Sequence, residues 1–259
     1  MARQRMTYRE QKFVYGEFME VSTYPVFWTE ASTGKRTKRK PTSIVQQNLN
    51  KANAADEINR IICANFTRRD YYLTITYAND PGSEERVKKD IENFLMRLKR
   101  AMRKKGLPVP KWVKCVEQGS RGGRWHAHFV ISGGLAPHEI AELWGKGYID
   151  CKPLIFRADG CRGIGGYFVK EHKNKPGDQH KAKCWSCSCN CVRTQPKTND
   201  YRFSKKRAAE LAKDRENARV IEKLYPDYIC NECRAFYNDS SGLFYLRMYF
   251  YRKDAKLSP

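Results

Sequence analysis

The stretch Lys111–Ile131, KWVKCVEQGSRGGRWHAHFVI, decides how the rest of the chain is read. It has the pattern of a β-hairpin. An apolar-rich run carries Glu117 near its end, a Gly/Arg turn covers Gly119–Gly123, and a second run opens His126-Ala127-His128. Side chains alternate faces along a strand, so His126 and His128 project one way and Ala127 the other. A turn of this length can register Glu117 beside either histidine. Two imidazoles and a carboxylate on one side of two strands are a common way to hold a divalent metal with coordination positions left open. Alone, the His-x-His pair also fits histidines packed in a half-buried sheet, and Glu117 also fits a surface carboxylate whose face depends on register.

Upstream, Tyr71–Tyr77 (YYLTITY) has the β-branched and aromatic content of a buried strand, and Asn79–Gly82 marks a turn. Ser83 is an N-cap, and Val87, Ile91, Phe94, Leu95, Leu98 and Met102 share one helical face. Lys99, Arg100, Arg103, Lys104 and Lys105 fall toward the negative end of that helix, which Gly106 and Pro108 terminate. Downstream, Pro137–Trp144 reads as a short helix, Tyr148–Leu154 as a strand and Ile164–His172 as a further helix. Strand, helix, strand, strand, helix, strand predicts an α+β fold: a ferredoxin-like antiparallel sheet with helices on one face. Around it, residues 1–66 read as a lead-in: strands Phe13–Val21 and Tyr24–Trp28, a basic loop, and a helix from Thr42 to about Ala64. Residues 67–175 form the central domain. In 176–259 a Cys-rich run and a polar stretch precede a helix over Ser204–Leu224 and closing strands Tyr228–Cys233 and Leu243–Tyr251, packed on the same domain.

The chain of 259 residues carries 50 Lys+Arg against 28 Asp+Glu, a net charge of +22. That surface favours a polyanion, and nucleic acid comes first because no apolar run approaches the ~20 residues of a spanning helix. The start, MARQRMTYREQK, lacks the apolar core of a signal peptide, so a reducing cytoplasm is expected, with the ten cysteines as thiols or metal ligands. The run Lys35–Lys40 fits a solvated loop or a phosphate contact through Lys38, Arg39 and Lys40; Arg121 and Arg124 in the hairpin turn are further DNA-contact candidates.

Three motifs occur in order: LTITY (Leu73–Tyr77), RWHAHFVI (Arg124–Ile131) and YFVK (Tyr167–Lys170). On these the chain resembles the rolling-circle replication initiators of the HUH endonuclease superfamily, close to the single-tyrosine Rep proteins of phages, plasmids and prophages. The likeness covers residues 42–173 well and the rest more loosely; three short motifs in order are more specific than any one. The resemblance implies a metal-dependent endonuclease and strand transferase acting on single-stranded or supercoiled origin DNA. Tyr167 matches the nucleophile that leaves a 5′-phosphotyrosyl link and a 3′-OH primer. His126, His128 and Glu117 match the holders of Mg²⁺ or Mn²⁺. Lys170, one turn after Tyr167, lowers the cost of ionising the phenol, orients it or contacts the phosphate. Tyr148 and Tyr201 are rival nucleophiles, and Thr74 and Thr76 share a strand face bordering the site or packing in the sheet. No Gly-x₄-Gly-Lys-Ser/Thr stretch is present, so a helicase, like the polymerase, would come from the host.

Cys184-x-x-Cys187 and Cys230-x-x-Cys233 have zinc-knuckle spacing, with Cys189, Cys191, His172 and His180 as extra ligands for a structural Zn²⁺. The alternative is a strand with Cys187, Cys189 and Cys191 on one face. Competing functions are a relaxase or single-strand transposase with the same chemistry, and a non-catalytic single-strand DNA- or RNA-binding protein with a zinc module.

Overall fold

A computed structural model of the protein describes residues 5–28, 44–119, 123–170, 185–216 and 218–258. The chain runs β1 (Arg5–Tyr15), β2 (Phe18–Trp28), α1 (Ile44–Asn65), β3 (Tyr71–Thr76), α2 (Glu84–Lys104), β4 (Trp112–Gln118), β5 (Trp125–Ile131) and α3 (Pro137–Trp144). It continues with β6 (Ile149–Pro153), α4 (Arg162–Phe168), β7 (Trp185–Cys187), β8 (Lys197–Phe203), α5 (Lys205–Lys213), α6 (Ala218–Glu222), β9 (Tyr228–Asn238) and β10 (Leu243–Arg252). The fold is α+β, with two antiparallel five-stranded sheets. Contacts divide the chain not into three consecutive segments but into two compact units. A central unit comprises residues 48–156 and 161–192, and a terminal unit comprises 1–47, 157–160 and 193–259.

The central sheet has the order β6-β3-β5-β4-β7. β3 and β4 both run antiparallel to β5, so they are parallel to one another and α2 is the crossover between them. With α3 linking β5 to β6, this is the ferredoxin-like βαββαβ arrangement, extended by β7 along β4. Alternation divides the sheet cleanly. Leu73, Ile75, Ala127, Phe129 and Ile131 face one side and pack on Val87, Ile91, Phe94, Leu98 and Met102 of α2 and Ile140 and Trp144 of α3. Ser83 caps α2 by accepting from the Arg86 N–H at 3.2 Å. Arg97 donates to the carbonyls of Leu143 and Trp144, which satisfies two orphan acceptors at the end of α3.

The expectation of helices on one face needs correction. Cys115, on the opposite face, lies 3.6 Å through its Sγ from the carbonyl oxygen of Phe168, so α4 covers the second side. Behind α4 stands α1. The Asn59 side-chain oxygen accepts from the Cys161 N–H at 2.7 Å, and Arg162 pairs with the buried Asp56 at 3.3 Å. A Cβ on Gly165 would fall 2.4 Å from the Ala55 carbonyl oxygen, so the two helices meet backbone to backbone.

The terminal sheet, β8-β1-β2-β10-β9, corrects the reading of both chain ends. The N-terminal hairpin does not lead into the central domain but pairs with the closing strand β10. Its turn lies at Gly16-Glu17, where Gly16 takes a φ of 56° open to glycine, so the run read as one strand over Phe13–Val21 is split between β1 and β2. The polar stretch before Ser204 contains an unanticipated edge strand, β8, whose polar residues suit a sheet margin. The helix expected over Ser204–Leu224 is two helices. α5 is capped by Ser204 and ends before Asp214-Arg215-Glu216, a run with no apolar side chain to face the core. Between β9 and β10 a bulge separates the pairs Tyr249↔Glu232 and Phe250↔Cys230. It restores Cys230 to the face of Cys233, and both pack on the Met248–Phe250 core.

Gly165 and Gly163 make a paired test of the α1–α4 contact. Gly165→Ala is expected to cost about 1–3 kcal/mol through overpacking, read as a lower urea midpoint. Gly163→Ala, whose Cβ meets nothing within 4 Å, should be neutral or stabilising by up to ~1 kcal/mol. Equal stability of the two variants would contradict the close helix approach.

Candidate active site

The register of the β4–β5 hairpin sets Glu117 directly opposite His126 and Cys115 opposite His128. Glu117 is therefore the cross-strand partner of one histidine and the diagonal neighbour of the other, all on the face turned away from α2. His126 Nε2 lies 2.6 Å and His128 Nε2 3.0 Å from the same carboxylate oxygen, Glu117 Oε1. One ligand atom from each residue falls within 4.8 Å of the others, and no second group of three such residues gathers among the described residues. The side chains are only 11 % (Glu117), 21 % (His126) and 9 % (His128) exposed.

The ring nitrogens are held from behind. His126 Nδ1 is 3.2 Å from the Arg124 carbonyl oxygen. His128 Nδ1 is 3.1 Å from both Tyr72 Oη and Thr74 Oγ1, which project from the same face of β3. Such outer partners fix the tautomer and aim Nε2 inward. His126 thus has an oxygen acceptor at each nitrogen, an arrangement a neutral ring satisfies at one nitrogen only. A cation at Nε2 resolves that conflict, so the chemistry of the donor set fits a divalent ion ligated by two imidazoles and a carboxylate.

Tyr167 enters from α4. Its hydroxyl donates to Glu117 Oε1 and lies 3.1 Å from His128 Nε2, with its ring edge-on to the imidazole at 4.9 Å. Burial pushes the Glu117 carboxyl upward, but hydrogen bonds from Tyr167, His126 and His128 outweigh it and hold the group below the usual carboxylate range. Burial and the Glu117 charge act the other way on the phenols: Tyr167 is raised, and Tyr72 is pushed up to about 12. Without added positive charge the Tyr167 oxygen is a poor nucleophile.

The other sequence candidates are distributed as follows. Lys170 is exposed just past the end of α4, its N–H bonded to the Tyr167 carbonyl at 3.1 Å. Arg124 is exposed, and its contribution to the centre is its main-chain carbonyl. Arg121, Lys38, Arg39 and Lys40 lie outside the described residues. Tyr148 is 71 % exposed, and its carbonyl rather than its hydroxyl is used, by Thr76. Tyr201 belongs to β8 of the terminal unit. For zinc, Cys184, His172 and His180 also lie outside the described residues, whereas Cys187 ends β7 and precedes a turn over Ser188–Cys191 instead of continuing a strand. Burial raises the Cys230 and Cys233 thiols to about 12 and about 11, which keeps them protonated in the core. Tyr72 was missed in the sequence, and Thr74 was left between site and packing. The available signal was parity, since 72 and 74 share the face that antiparallel pairing brings to His128.

Fold and site together define an α+β protein with a candidate metal centre joined to a tyrosine. Residues 70–176 match the family described as replication-associated protein ORF2, a likeness consistent with a rolling-circle replication initiator. The matched span opens at β3 and contains the triad and Tyr167. Searches of curated proteins and of solved structures found no match.

Two measurements probe the centre. Because the folded Glu117 carboxyl is depressed, its stabilising contribution is present above its ordinary value of 4.5 and is lost as pH falls through the lowered folded value. In chelator-treated protein, Glu117→Gln should therefore flatten the acid limb of the melting-temperature profile; an unchanged limb would contradict the hydrogen-bonded carboxylate. Removing both hydroxyls behind His128, as Tyr72→Phe with Thr74→Val, should weaken Mn²⁺ binding by about 10–100-fold, measured by calorimetry.

Proposed function

We propose that the protein initiates rolling-circle replication by nicking single-stranded origin DNA through Tyr167. The observation that carries this reading is the Tyr167 hydroxyl within hydrogen-bond reach of both Glu117 and His128. A nucleophile beside a three-ligand centre is the arrangement that in-line displacement at a phosphodiester requires.

In the reaction, the Tyr167 oxygen attacks the scissile phosphorus and its proton departs. The P–O3′ bond breaks, and the leaving oxygen takes up a proton to become the 3′-OH primer. Glu117, His126 and His128 would hold the cation, proposed as Mg²⁺ or Mn²⁺, which supplies Lewis-acid polarisation of the phosphate and offsets charge on the phenolate. Tyr72 and Thr74 keep His128 in the ligating tautomer. The small exposure of the triad limits water near the phosphotyrosyl link. Lys170, exposed one turn from the nucleophile, is suited to a phosphate of the same strand. The phosphotyrosine conserves the phosphodiester energy, so a 3′-OH that attacks it rejoins the strand without ATP. Supercoiled origin DNA as substrate, a host helicase and polymerase as partners, and action in the cytoplasm belong to the same reading; no helix among the described residues is long and apolar enough to cross a membrane.

Incubation with Mn²⁺ and single-stranded origin DNA should give a covalent adduct that survives a denaturing gel. Tyr167→Phe and chelator should each abolish it. An adduct retained by Tyr167→Phe would remove the nucleophile assignment, and tight binding by wild type with no adduct would remove the nicking reading.

A further inference from the structure

Helix α2 divides its charge in a way that the fold does not require. In its first half, charges alternate and pair: Glu84 with Lys88 at 2.7 Å and Arg86 with Asp90 at 3.3 Å. In its last two turns, Lys99, Arg100, Arg103 and Lys104 are all exposed, and none is in an ion pair or side-chain hydrogen bond among the described residues. Lys105, next in the chain, is taken by Glu139 at 2.6 Å. The negative end of the helix favours cations in the last turn, which accounts for Arg103 and Lys104. It does not account for Lys99 and Arg100 a turn earlier, which stand four residues from Arg103 and Lys104 as like-charge neighbours that destabilise the helix.

The loops beside this end add to the band. Gly133 donates to the Asp70 carboxylate at 2.7 Å, and a Cβ on Gly134 would meet the Leu107 side chain at 2.9 Å. These contacts gather the 67–70, 106–110 and 132–134 loops, and the first of them exposes Arg68 and Arg69. This end is remote from the tyrosine centre. Ile131 pairs with Tyr71 and Trp112 at one end of the strands, while His126 pairs with Thr76 and Glu117 at the other, roughly 17 Å along β5. α2 also packs on the face of the sheet opposite Tyr167.

We propose that Lys99, Arg100, Arg103 and Lys104 form a sequence-independent contact surface for the phosphate backbone of duplex DNA, separate from the strand held at Tyr167. The proposal rests on the DNA reading above and extends it to a second segment of the substrate. Two features select a duplex. The exposed apolar side chains beside the band are Met96 and Val109, neither an aromatic platform of the kind that single strands stack on. A rigid cluster of cations also matches the higher linear charge density of paired strands. An origin that presents an unpaired nick site beside duplex flanks would engage both surfaces at once.

The test is anisotropy of a labelled blunt duplex without origin sequence, titrated at several salt concentrations with the full chain. Against wild type, the Lys99→Gln/Arg100→Gln/Arg103→Gln/Lys104→Gln variant should reduce the slope of log affinity against log salt by roughly 3–4, at about 0.9 per lost phosphate contact. Its melting temperature should not fall, since like-charge neighbours are removed. Mn²⁺-dependent adduct formation on a short single strand should be unchanged. If the quadruple variant does not fold, Lys99→Gln/Arg100→Gln should lower the slope by roughly 2. An unchanged duplex slope overturns the proposal, as does a loss confined to single strands. Failure of wild type to form the adduct sinks the nicking reading but leaves the duplex slopes to decide this surface independently.

Discussion

Everything at the candidate centre depends on one pairing register, Glu117 against His126 across β4 and β5. Period-2 alternation makes that register all-or-none: a slip of one residue would carry Glu117 to the side where Leu73, Ile75 and Phe129 meet α2. The apolar face forbids the slip. Trp112 and Ile131, Lys114 and Phe129, and Val116 and Ala127 are paired on that side, with Phe129 and Ile131 fully buried. The hydrophobic core on one face of the sheet thus places three polar ligands on the other.

The second constraint is the docking of α4. A seven-residue helix with three glycines has little stability of its own, so tertiary contacts must hold it. Asn59, Asp56 and the backbone approach at Gly165 tie it to α1, and Cys115 meets its last turn from the sheet. The result sets a phenol raised by burial against a carboxylate held low by the bonds it receives. Those opposed tendencies leave a buried centre in which added positive charge has the most to offset.

Much of the central unit was legible because its signals are local and periodic. The α2 stripe with its Ser83 cap, the strand around Leu73–Ile75 and the two arms of the hairpin are readable from spacing alone. The terminal unit was not. Its strands come from opposite ends of the chain, and no local pattern announces that β2 pairs with β10. The polar edge strand β8 lacks the apolar alternation by which strands are recognised. Two CxxC spacings suggested zinc, whereas a β-bulge turns Cys230 and Cys233 together into a hydrophobic core, a feature spacing cannot convey.

At the site, the residue types were determined by sequence: two histidines two apart, a carboxylate before a glycine turn, and a tyrosine in a glycine-rich helix. Strand parity alone puts His126 and His128 on one side. Which side, whether Glu117 joins them, and whether Tyr167 reaches them were decided by tertiary structure. Each depends on partners distant in the chain: β3 supplying Tyr72 and Thr74 behind His128, and α1 supplying the bed for α4. Covalent connectivity carries periodicity for a few residues, but the meeting of Glu117, His128 and Tyr167 is set by packing across the whole unit.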